Sequence, residues 1–178
     1  AQAAPLSVQS GAAVAATDPP AVSPPQAARP GVVILPFVNM SGDPEQEYFS
    51  DGVTEDIITD LGRVSALSVA SRNSAFSYKG KTVAPAQIAR ALRVTHVLEG
   101  SVRKSGNRVR ITVQLTDAET DRHIWAERYD RELADIFAIQ DEVAAAIVSV
   151  LAGRVEAATR DRAERKPTEN MAAYECVT

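Results

Sequence analysis

One cysteine in 178 residues, Cys176, removes two kinds of explanation at once: no internal disulfide staples this chain, and no cysteine-rich metal site is built from it. The two histidines, His96 and His123, stand far apart with no ligand-spaced partner, so the residues that hold zinc are not gathered in the sequence. No serine occupies a nucleophile elbow, and Cys176 lies near the chain end, which leaves no nucleophile beside a base. Nothing approaches the roughly 18 uninterrupted apolar residues of a membrane helix. No basic segment leads into the apolar stretch of a signal peptide. A basic excess is missing too: 19 Lys and Arg face 23 Asp and Glu, a net charge of −4 that argues against a nucleic-acid surface over the whole molecule. One cysteine fits a reducing or an oxidising compartment equally well.

What is present is ordinary for a globular protein, 45% hydrophobic and 24% charged, in a length that suits one buried core with appendages. Residues 1–30 stand apart. They are rich in Ala, Pro, Gln, Ser and Val, have their first basic residue at Arg29, and carry the proline runs Thr17-Asp18-Pro19-Pro20 and Ser23-Pro24-Pro25. Such a segment has no periodic apolar face to offset chain entropy and reads as a disordered, semi-extended linker with something upstream.

The folded region opens on Val32-Val33-Ile34-Leu35, a β-branched run suited to a strand buried on both faces. Asp43-Pro44-Glu45-Gln46 then reads as a helix start, with Asp43 as N-cap and Gln46 as its reciprocal capping-box partner. Phe49, Val53, Ile57, Leu61 and Val64 form one apolar stripe, which Gly52 could divide. Leu67–Ala70 suggests a second short strand and Pro85–Leu92 a second helix. From Val97 the period becomes two: Leu98, Gly100 and Val102 share one face, and Val109, Ile111, Val113 and Leu115 share another. A two-residue Gly106-Asn107 turn would pair Val102 with Ile111 and Leu98 with Leu115. Arg122–Tyr129 is a third strand, with either Ile124 or Trp125 facing the core. A long helix from about Asp135 to Arg165 carries Ile136, Val143, Ile147, Leu151 and Val155 at helical spacing. Its charged, Ala-rich second half is expected to project from the core. Pro167 ends it, and Thr168 can cap a further helix that the chain end truncates, so both ends look cut. The expectation is an α/β fold with a mixed sheet in β-α-β-α-β-β-β-α order, an antiparallel three-strand meander and a long C-terminal helix.

Candidate chemistry is sparse. Ala75-Phe76-Ser77-Tyr78-Lys79-Gly80-Lys81-Thr82 ends like a phosphate-binding P-loop, but Ala75 replaces the first glycine and two aromatics crowd the loop; a packed aromatic loop is the better reading. Asp51, Glu55, Asp56 and Asp60 make an acidic helix face, more in keeping with solvation than with general acid–base chemistry. Arg103, Lys104, Arg108 and Arg110 make a basic patch at the first hairpin, either a plain exposed sheet face or a docking surface for an acidic partner. Asn39 and Ser41 follow the first strand, and Ser71, Arg72, Asn73 and Ser74 the second. If those strands are parallel neighbours, these groups could converge on an anion beyond their carboxyl ends; structural turn bonding is the competing account.

Several ordered motifs carry a family resemblance. Val33-Ile34-Leu35-Pro36-Phe37, the stretch Asn39 to Phe49, Asp51-Gly52 with Thr54-Glu55, the segment Arg72-Asn73-Ser74 to Lys81, Leu98-Glu99-Gly100-Ser101-Val102-Arg103 and Trp125-Ala126-Glu127-Arg128-Tyr129-Asp130 together resemble the TolB-like (FlgO-related) N-terminal domain over about residues 31–165. The resemblance implies a mixed-sheet α/β domain between an N-terminal output domain and C-terminal tetratricopeptide repeats, toward which residues 166–178 would lead. That output is a class III adenylate/guanylate cyclase or, in other members, a winged-helix DNA-binding regulator. Neither cyclase metal carboxylates nor a recognition helix stands in these residues, so the chain is expected to be a non-catalytic regulatory or interaction module without cofactor or metal. Its partners would be proteins or adjacent domains of the same chain, with no nucleic acid bound and no membrane insertion. A cytoplasmic location follows for the cyclase case, and a periplasmic, membrane-tethered one for the regulator. The family supplies no catalytic residues to carry over.

Overall fold

The apolar run that opens the folded region becomes β1 (Gly31–Ile34), with every residue buried. In the computed structural model, which describes residues 30–165, it lies between two parallel neighbours, so Val32 and Ile34 reach one core layer and Val33 the other. The expected linker, the expected helical start after Pro167 and Cys176 lie outside the described residues. After β1 come β2 (Val38–Asn39), α1 (Glu45–Leu61), β3 (Ser68–Val69), α2 (Arg72–Phe76), α3 (Pro85–Leu92), β4 (His96–Ser105), β5 (Arg108–Asp117), β6 (Arg122–Glu132) and α4 (Ile136–Arg165). The sheet is six-stranded in the order β3-β1-β4-β5-β6, with β2 beside the later part of β4. β1 pairs in parallel with β3 and β4, as β2 does with β4, whereas β4, β5 and β6 form an antiparallel meander. This is the expected mixed α/β architecture, with β2 and α2 as additions too short to leave a periodic signal.

The β4–β5 register is the expected one. Val102 faces Ile111, Leu98 faces Leu115, and Ser105 faces Arg108 across a Gly106-Asn107 turn in which Gly106 has φ +58. A left-handed φ at a two-residue hairpin loop is what glycine tolerates without a Cβ penalty. In β6 the register shifts between Leu115 and Thr116: Leu115 pairs with Trp125 and Thr116 with His123. Ile124 is the extra residue of this bulge. Both Trp125 and Ile124 pack on the main core.

That core lies between the sheet and two helices. Phe49, Val53, Ile57 and Leu61 of α1, and Val143, Ile147, Leu151 and Val155 of α4, meet Ile34, Leu98, Val102, Ile111 and Leu115. The opposite face is covered only in part: Ala75, Ile88 and Ala89 from the α2–α3 region pack on Val33 and Val97. By length and composition α4 could cross a membrane, at mean hydropathy 1.7 over its best window; here its apolar stripe lies on the sheet.

Four expectations are corrected. Gly52 does not divide α1, which is continuous; a Cβ there would lie 1.9 Å from Gln140 Nε2, so the glycine admits the buried Gln140 side chain of α4. The N-cap is Pro44 and not Asp43, whose carboxylate, one residue earlier, accepts the Glu45 amide at 3.0 Å; Gln46 is buried and completes no capping box, its Oε1 having no partner among the described residues. Ile136 is exposed, and Ile139 takes its place in the stripe. The second half of α4 does not leave the body, because Val155 is fully buried and Arg162 binds Asp117 at the end of β5 with contacts of 2.7 and 2.8 Å.

A buried hydrogen-bond relay fixes the chain after β1. The Phe37 amide donates to Thr54 Oγ1 at 3.0 Å, and that hydroxyl donates to the Ser50 carbonyl at 2.8 Å. Thr54→Val keeps the shape and removes the acceptor, leaving the Phe37 N–H unsatisfied, at an expected cost of about 1–3 kcal/mol. Urea denaturation should show this loss, and Thr54→Ser, which keeps the hydroxyl, should lose less.

Candidate functional site

The polar residues after β1 and β3 fold into two separate local systems. Asn39 donates through Nδ2 to the Asp43 carbonyl at 2.7 Å and accepts the Ser41 amide at 2.9 Å, while Ser41 Oγ accepts the Lys104 amide at 2.8 Å. Ser71 caps α2, accepting the Ser74 amide at 3.2 Å and bonding the Ser74 hydroxyl at 2.9 Å. Asn73 lies exposed within α2. β1 and β3 are indeed parallel neighbours, but among the described residues no hydrogen bond joins the two systems.

The Arg72 guanidinium is already engaged. It donates through Nε to Glu55 at 2.7 Å and through Nη2 to the same oxygen, and it stacks over the Phe76 ring at 4.3 Å. Lys79, just beyond the end of α2, bridges Asp51 at 2.6 Å and Glu47 at 3.1 Å. The acidic face of α1 is therefore a clasp that holds the α2 segment, and the Gly80-Lys81-Thr82 sequence sits in the loop before α3 with Gly80 at φ +73. Asp56 stands outside the clasp. Burial, then the nearby Asp141, Asp60 and Glu55 charges, push its carboxyl up from the ordinary value.

The histidines differ in setting. His123 is exposed, with Nδ1 2.7 Å from the Gln114 amide nitrogen. His96 is buried, with Nδ1 2.7 Å from Thr95 Oγ1 and Nε2 without a partner among the described residues. Burial pushes its imidazole pKa down, opposed by the Asp117 carboxylate and assisted by Arg162.

The basic patch at the hairpin divides by strand alternation. Val102 points into the core, so Arg103 points to the open face, where it pairs across the ladder with Arg110; Arg108 lies two residues away on the same side. Lys104 falls on the other side, opposite the buried Val109. The open face gains Arg128, opposite Thr112, which sequence reasoning missed because the β6 register was ambiguous; alternation counted from Trp125 finds it. Asp130 tempers the patch, bound by Arg110 at 2.7 Å and lying 3.8 Å from Arg128. Shallow depressions of about 240 and 340 Å³ lie here, lined by Arg103 and Arg110 together with Met40 and Arg128 in one, and Arg108 and Asp130 in the other. Val38 and Met40 stand exposed at 60% and 53% beside them. The open face thus sets guanidinium groups beside exposed apolar side chains, with the Ser101 and Thr112 hydroxyls between them.

No family model matches the chain. Over 164 residues, 90% of its length, it is 52% identical to a protein of Rhizobium meliloti (strain 1021) named "Putative adenylate cyclase 3", and it spans 28% of that protein. Among solved structures, lipoprotein GNA1162 from Neisseria meningitidis is 17% identical with a TM-score of 0.50, over 68% of this chain and 96% of that one. TolB from Acinetobacter baumannii is 21% identical with a TM-score of 0.49, over 71% of this chain and 29% of that one. The match to GNA1162 is a likeness of fold.

Proposed function

We propose that this domain is a non-catalytic interaction module of a bacterial signalling protein whose adenylate cyclase chemistry is carried by other segments of the same polypeptide. The observation that carries the reading is the open β4–β5–β6 face, where Arg103, Arg110 and Arg128 lie beside exposed Val38 and Met40 while helices cover the other side. The identity to a stretch amounting to 28% of the Rhizobium protein supports it, since such a piece leaves ample chain for an output domain. In this reading the partner is an adjacent domain, including the tetratricopeptide region that the resemblance implies, and the module works beside a nucleotide-consuming output in the cytoplasm.

A graft tests this. Residues 31–165 replace the matching stretch of the Rhizobium protein, and cyclic AMP is measured in cells. We expect the graft to retain output and Arg103→Glu with Arg128→Glu to change it severalfold, while the 178-residue chain alone yields no cyclic AMP from ATP with Mg²⁺ or Mn²⁺. Turnover by the chain alone, or output indifferent to the charge reversals, would overturn the reading.

A further inference from the structure

We infer that the cleft between the C-terminal half of α4 and the β5–β6 turn is a binding site for a phosphate-bearing anion. Its volume is about 390 Å³, within the range of small-molecule sites. Arg154, Ala158, Asp161 and Arg165 fall on one face of α4 at helical spacing, and Arg122 joins them from β6. The space exists because Ala157 and Ala158 form its helical wall where longer side chains would fill it.

The walls are fixed by an ion pair that leaves the other cations available. Asp117 accepts the Glu119 and Thr120 amides at 2.9 and 3.3 Å, closing the turn, and Arg162 reaches from α4 to both Asp117 and Glu119. Arg162 is shared between the Asp117 and Glu119 carboxylates, so Arg122, Arg154 and Arg165 in the lining stand against Asp161 and the one carboxylate charge that Arg162 leaves unbalanced. None of these three arginines forms an ion pair among the described residues, in a chain of net charge −4. Guanidiniums offer planar donor forks that match phosphate oxygens, and three of them line this one concavity. A dianionic phosphate also offsets more of this charge than a single carboxylate does.

The 178-residue chain is titrated calorimetrically with inorganic phosphate, pyrophosphate and ATP. We expect saturable binding that weakens with added salt, and Arg122→Gln with Arg154→Gln should weaken it about tenfold or more. Asp161→Asn, which removes the opposing charge and leaves the walls intact, should tighten it about threefold; it decides the matter if the arginine variant fails to fold. Binding by all three ligands identifies the phosphate group itself as the determinant, and binding by ATP alone identifies a nucleotide. No binding by any of them, binding unchanged in both variants, or binding lost instead in Arg103→Gln would overturn the assignment.

Discussion

Gly100→Ala is expected to destabilise the domain by about 3 kcal/mol, at the upper end of what overpacking a core costs. Gly100 sits in β4 opposite Val113, on the side that faces α1 and α4. A Cβ built there would lie 2.6, 2.6 and 2.7 Å from three carbons of the Phe37 ring, nearer than carbon atoms pack. The ring has nowhere to go. It is 1% exposed, and its own backbone is tied to α1 through the Phe37 amide and Thr54 Oγ1. The glycine is therefore required as space for an aromatic ring in a strand whose neighbours Leu98 and Val102 are fully buried. A double-mutant cycle makes the claim specific. Phe37→Ala alone should cost about 3–5 kcal/mol through the cavity it opens; in that background Gly100→Ala should cost almost nothing, because the clashing ring is gone. Urea unfolding of the four proteins measures the coupling. Additive losses would show that Gly100 matters for strand conformation and not for the ring above it.

The parts of the fold that could be read in advance are those where one element carries its own pattern. β1 announced burial on both faces through consecutive β-branched residues, and the β4–β5 register followed from two period-two strands meeting at a loop whose Gly106 takes a positive φ. The stripe of α1 was visible for the same reason. What failed depended on distant residues. Gly52 looked like a break because the Gln140 side chain it admits lies in α4, and the charged end of α4 looked free because its anchor, Asp117, is 45 residues away. The bulge at Ile124 shifts the phase of β6 partway along, so alternation alone could not decide between Ile124 and Trp125. The candidate sites obeyed the same rule. Arg103, Arg108 and Arg110 cluster in sequence and were found, whereas Arg128 needed the β6 register. Arg122, Arg154 and Arg165 meet only because α4 crosses the end of the hairpin, and no local signal joins them.

Arg162→Ala is expected to cost about 3 kcal/mol near neutral pH, the lower end for breaking a buried ion pair. The Arg162 and Asp117 side chains retain 26% and 12% of their exposure, so solvent screening is limited. Removing the guanidinium leaves a largely buried carboxylate supported only by the Glu119 and Thr120 amides, and releases α4 from the β5–β6 turn. The loss should be pH-dependent. Burial alone would raise the Asp117 carboxyl pKa, but the two amides and Arg162 outweigh it and hold the carboxyl below its usual range. A depressed folded-state carboxyl stabilises above its unfolded value, about 3.9, and that stability disappears as pH falls through the folded value. His96 adds a second acid-sensitive step: burial, with help from Arg162, lowers its folded pKa, so the unfolded chain takes up the proton first and stability declines as pH drops below about 6.5. Without Arg162 both shifts weaken. The deficit of Arg162→Ala should therefore be largest at pH 7 and narrow through pH 5 toward pH 3, as followed by urea denaturation at each pH. Arg162→Met, which keeps much of the aliphatic stem, should behave like the alanine variant. An equal deficit at every pH, or a methionine variant as stable as the parent, would mean that Arg162 holds α4 by packing and not by charge.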